Sequence, residues 1–167
     1  SSTSRGLGDV YKRQALQGPL SQKVVSDLGI TIDFDYMAFS ESYIPGHEDL
    51  GTVIICRTGY TGEYGFEIVP KWESTMAVWE ILVEAISKID GRVCGLGARD
   101  TLRTEMGYPL HGHELSQDIN ALEAGAAWAV VLSKNSFEGR DALVALKEAG
   151  VKRSLKALKS MDRGIPL

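Results

Sequence analysis

The sequence predicts an α+β fold with a largely antiparallel sheet. Three observations lead there. Two short apolar runs with strand character, Val53-Ile54-Ile55-Cys56 and Tyr64 to Val69, are joined by the polar, glycine-punctuated link Thr58-Gly59-Tyr60-Thr61-Gly62-Glu63. Apolar residues at steps of three and four then mark a helix from Trp72 to Ile89. Strand-like and helix-like segments finally interleave without the regular rhythm of βαβ units, which disfavours a parallel sheet.

The elements follow in order. Gly18-Pro19 ahead of Leu20, Val24, Val25 and Leu28 reads as a short helix closed by Gly29. In the long helix, Trp72, Met76, Trp79, Leu82, Val83, Ile86 and Ile89 form one apolar side, and Gly91 sits at its C-terminal end. Cys94-Gly95-Leu96-Gly97 opens a second helix, Ala98 to Met106, stopped by Gly107 and Pro109. Trp128 to Leu132 reads as a strand, and Asp141 to Ala149 as a third helix before Gly150. Residues 1–13, SSTSRGLGDVYKR, show neither period and read as a foreign or frayed leader. At the other end a strand is expected to start near Leu155, with a turn at Asp162-Arg163-Gly164. Both ends point to a piece of a longer protein.

Composition narrows the function classes. Eighteen basic against 22 acidic residues give a net charge of −4 with no block of like charges, which disfavours nucleic-acid binding. No apolar stretch approaches the roughly 20 residues of a membrane span. Two cysteines, Cys56 and Cys94, are too few for a disulfide scaffold and fit a cytoplasmic location. Glycine is in excess, 18 of 167 residues, so its positions need reasons.

Three constellations bear on chemistry. GYTGEYG and CGLGARD are glycine-rich, yet neither has the Gly-Lys-Ser/Thr ending or the strand-to-helix G-x-G-x-x-G of a phosphate cradle; tight turns explain them equally well. His111-Gly112-His113-Glu114 invites a metal reading, but no further His or Cys cluster completes a ligand set, so a hydrogen-bonded loop is expected and no metal. Glu67 lies within a strand, on the face opposite Phe66 and Ile68, and Arg99 lies at a helix entrance. By spacing alone these two could form a structural ion pair or hold a ligand.

The blocks ALQGPLSQ (15–22), RTGYTGEYGFEI (57–68), CGLGARDTLRTEMGYPLHGHEL (94–115), LEAGAAWAV (122–130) and FEGRDAL (137–143), in this order, closely resemble the aminomethyltransferases of the glycine cleavage system. The resemblance implies ferredoxin-like subdomains around a folate channel, with a folate-binding domain over 14–150 and the start of a C-terminal β-barrel, otherwise absent, over 151–167. It implies transfer of a one-carbon unit from the aminomethyl-lipoyl arm of the H-protein to tetrahydrofolate, with release of ammonia. The folate contacts it implies fall on Tyr60, Glu67 and Arg99, and Trp128 matches a family position expected to pack. The family's catalytic Asp falls upstream of the LQGP block, so none is assigned and the chain alone is expected to be inactive. Two other branches share parts of the pattern: the folate module of dimethylglycine and sarcosine oxidases, and non-enzymatic folate proteins of iron–sulfur or RNA-modification maintenance. The Lys-Gly-Cys signature of the latter is replaced here by Arg57-Thr58-Gly59-Tyr60.

Overall fold

The computed structural model describes residues 12–161. Most of the expected leader and the turn at Asp162-Arg163-Gly164 lie outside that range. The chain divides into two compact units, the first ending at Met106 and the second beginning at Gly107.

The first unit is built on a four-stranded antiparallel sheet. Its strands are β1 (Gln14–Gln17), β2 (Phe39–Ser42), β3 (Val53–Cys56) and β4 (Gly65–Val69), in spatial order β1-β4-β3-β2. Helices α1 (Ser21–Asp27) and α2 (Thr75–Ser87) complete the core. Because β4 is antiparallel to both neighbours, β1 and β3 run parallel with β4 between them, joined through α1. This is the split β-α-β arrangement of ferredoxin-like folds, with β2 added at one edge. Helix α3 (Leu96–Glu105) ends the unit.

Alternation along the strands decides which face is filled. Leu16, Val53, Ile55, Phe66 and Ile68 point to one side and pack with Val24 and Val25 of α1 and Val78 and Leu82 of α2. Glu67, Cys56 and Ala15 share a cross-strand row on the other face, as the register Ala15↔Glu67 and Cys56↔Glu67 requires. The expected strands at 53–56 and 64–69 form within a residue of their predicted ends. The short strands β1 and β2 carried no usable alternation, since β1 buries Gln14 beside Leu16 and β2 reads Phe-Ser-Glu-Ser.

In α2 the apolar side predicted from spacing is split. The core takes Val78 and Leu82, with Ile81, Ala85, Ile86 and Ile89 packed beside them. Met76 and Trp79 lie on an adjoining stripe and remain 65% and 39% exposed, while Trp72, 51% exposed, stands in the turn ahead of the helix. Periodicity finds the helix but cannot choose between two overlapping apolar stripes.

The end of α2 also differs in detail. The left-handed residue is Asp90 (φ 57), and Gly91 donates its N–H to the Ile86 carbonyl at 2.8 Å, closing a Schellman-type turn. Gly91 is needed for space: a Cβ there would sit 2.8 Å from Ile86 Cβ and 2.9 Å from its carbonyl oxygen. Gly91→Ala is therefore expected to lower stability by about 1–3 kcal/mol, measured by urea denaturation. A loss below about 0.5 kcal/mol would show that the turn relaxes freely.

The second unit contains α4 (Arg140–Ala149), close to the predicted third helix. Arg140 ties the start of α4 back by donating to the carbonyls of Leu132 (3.1 Å) and Lys134 (2.8 Å). The predicted strand Trp128 to Leu132 does not form. Ala127–Ala129 makes a single 3-10 turn, and Trp128 is 81% exposed rather than packed. The strand expected near Leu155 is also missing: Leu155 donates one backbone bond to Glu123, and Leu158 is exposed. A strand persists only with a neighbour to pair its backbone, and no strand occurs among the described residues of this unit. Arg153 instead braces Glu123 at 2.7 Å, and its donated bonds hold the Glu123 carboxyl below the usual carboxylate range.

Candidate functional site

The face of the sheet away from the helices carries the candidate site. Hairpin β3–β4 turns through residues 57–64, and this loop holds Tyr60 while its far strand holds Glu67. Glu67 is 8% exposed although it points away from the apolar core. Its Oε1 accepts from Arg13 Nη1 at 3.3 Å, and its Oε2 accepts a short bond from the Thr58 hydroxyl. Burial, helped by the facing Glu67 carboxylate, pushes the neighbouring Cys56 thiol up from its ordinary pKa.

Arg99 closes the first turn of α3, and its guanidinium lies over the Tyr60 ring at 4.7 Å. Seven residues on, and so on the same side of the helix, Met106 meets the loop again at Gly62. Gly62 has φ 77, and a Cβ there would overlap the Met106 side chain. Between them Arg103 is buried and paired with Asp100 at 2.7 Å. One face of α3 thus runs along the 57–64 loop.

The structural ion pair between Glu67 and Arg99 that spacing allowed is not what forms. Glu67 pairs with Arg13, and Arg99 stacks on Tyr60. The three residues are nevertheless tied to one loop: Tyr60 through Arg99, and Glu67 through Thr58, two positions earlier. Spacing could not show Arg57, whose guanidinium lies 3.3 Å from the Tyr64 ring centroid and donates to the Gly65 carbonyl at 3.0 Å, stiffening the end of the loop.

The histidine motif folds onto itself: His111 and Leu115 form a β-bridge, and the Glu114 carboxylate accepts the Leu110 N–H at 3.0 Å. No group of three or more His, Cys, Asp or Glu side chains with metal-binding geometry occurs among the described residues. Nor is any helix among them long and apolar enough to cross a membrane.

The sequence model of the GCVT N-terminal domain matches residues 5–134. The chain belongs to the GCVT N-terminal domain family. Aminomethyltransferase from Mycolicibacterium paratuberculosis (strain ATCC BAA-968 / K-10) is 50% identical over 166 residues, covering 98% of this chain and 43% of the relative. The Parafrankia sp. (strain EAN1pec) aminomethyltransferase is 49% identical over 152 residues, 91% of this chain and 40% of the relative. Among solved structures, the glycine cleavage system aminomethyltransferase T from Bartonella henselae superposes with a TM-score of 0.71 at 33% identity, over 84% of this chain and 37% of that one. The chain therefore spans about two-fifths of the length of the curated relatives it matches. The GCVT match starts inside the segment read as a leader and covers all three candidate site residues.

Proposed function

We propose that this GCVT-family chain supplies the pterin-anchoring part of a tetrahydrofolate-dependent aminomethyltransferase. The parent reaction moves a one-carbon unit from the aminomethyl-lipoyl arm of the H-protein to tetrahydrofolate and releases ammonia, in the cytoplasm. The observation that carries the reading is the convergence of a nearly buried carboxylate and an arginine-stacked tyrosine on one pinned loop.

The chemistry is specific. A reduced pterin presents an amino group beside a ring N–H, two parallel donors in one plane. The two oxygens of Glu67 can accept both in a charge-assisted, bidentate contact. Arg13, whose side chain is 65% exposed, holds Oε1 only through a weak surface pair that such donors can replace. Arg99 supplies a planar donor fork for the neighbouring carbonyl, and Tyr60 beneath it offers a flat apolar surface with a polar tip. Relatives named aminomethyltransferase support this branch over an oxidase module or a maintenance protein.

The direct test is isothermal titration of the chain with 5-formyltetrahydrofolate. Saturable binding supports the reading; a folded chain that takes up no ligand at millimolar concentration rejects it. Arg99→Lys should weaken that binding by about 1–2 kcal/mol, because a point ammonium neither stacks on Tyr60 as a plane nor donates as a fork. Unchanged affinity with a lowered melting temperature would assign Arg99 to stability alone.

A further inference from the structure

We propose that Gln17 is a positioning residue: it sets the 57–64 loop and so the Tyr60 ring on which the pterin-anchoring reading depends. The Gln17 side chain is half-buried and uses both ends of its amide across the two arms of the hairpin. Nε2 donates to the carbonyls of Thr58 (3.3 Å) and Phe66 (3.0 Å), and Oε1 accepts from the Thr61 hydroxyl at 3.2 Å. These bonds grip the loop on both sides of Tyr60, and the same Thr58 donates to Glu67.

Two glycines of the motif are there for this amide. A Cβ on Gly59 or on Gly65 would overlap the Gln17 amide, and neither glycine has a left-handed backbone that would otherwise require it. A tight turn alone does not explain these two glycines; the group that approaches them is a side chain of the protein. The rest of the LQGPLSQ block adds to the clamp. The Tyr64 carbonyl accepts from Gly18 N–H at 2.7 Å and from the Ser21 hydroxyl at 3.1 Å, and the Tyr64 hydroxyl donates to Gln22 at 2.6 Å. The two motifs, some 40 residues apart, are one physical device: the first is the holder of the second.

The experiment combines loop order with ligand affinity in Gln17→Met, which keeps side-chain length and removes the amide. Backbone amide order parameters for residues 58–64 should fall toward about 0.6, while those of β4 stay near about 0.85. The Kd for 5-formyltetrahydrofolate should rise roughly tenfold, in line with the loss of loop-setting hydrogen bonds. Tyr60→Leu, harmful alone, should add little in the Gln17→Met background. An ordered 58–64 loop in Gln17→Met overturns the inference, as does loss of order in β4 together with the loop. If Gln17→Met does not fold, Gln17→Glu, which retains the acceptor for Thr61, takes its place with the same order-parameter criterion. Should the unmodified chain bind no folate, the functional reading falls and the order parameters alone still decide the role of Gln17.

Discussion

Phe66→Ala should destabilise the first unit by about 3–5 kcal/mol. Phe66 is fully buried at the centre of the sheet. It faces Leu16 across the β1–β4 pair, and Tyr64 meets its ring edge-on at 5.7 Å. Removing the ring leaves a cavity bounded by paired backbone on one side and helices on the other, so collapse can recover little. Against a total stability of about 5–15 kcal/mol for an ordinary domain, this one change takes much of the reserve. Urea denaturation followed by circular dichroism reads it directly. A shift under about 1.5 kcal/mol would mean that the centre of the sheet is not packed as described.

The second large effect is on ligand affinity rather than on stability. Glu67→Gln should weaken 5-formyltetrahydrofolate binding by about 1–3 kcal/mol, roughly 5- to 150-fold in Kd. The amide keeps one acceptor, which the Thr58 hydroxyl can still use, but it presents an N–H toward a ligand edge that itself donates. Its loss of the Arg13 pair matters little, because that partner is largely in solvent. Titration calorimetry and thermal melting should therefore part company, with affinity falling and melting nearly unmoved. The reverse pattern would make Glu67 a structural carboxylate and remove it from the site.

Several features of this chain were readable before any coordinates. Val53 to Cys56 and Gly65 to Val69 carry enough apolar, β-branched residues to mark themselves as strands, and Leu96–Glu105 and Arg140–Ala149 declare helices through flanking glycines and periodicity. The motif blocks identified Tyr60, Glu67 and Arg99 as candidates, and the structure ties all three to one loop. What could not be read depends on partners distant in sequence. Gln14 and Gln17 make β1 look polar because each amide finds a buried or half-buried acceptor far along the chain, at Thr75 for Gln14 and at Thr58 and Phe66 for Gln17. Trp128 to Leu132 has strand composition but no strand to pair with among the described residues, and composition alone does not supply one. Glu67 and Arg99 looked like complementary charges, but charge does not reveal that an aromatic ring and a second arginine stand closer.

The strand order also bears on how the molecule reaches its working form. Strands β2, β3 and β4 meet through neighbouring hairpins, which zip on the microsecond scale, whereas the Gln17 amide must find Phe66 across 49 residues. Closing that long segment costs entropy before any contact rewards it. On this order the nascent hairpin exists first with a slack tip, and the tip acquires its final shape only when the opening strand docks at the edge, so the pterin anchoring proposed above would be among the last properties to arise as the chain folds.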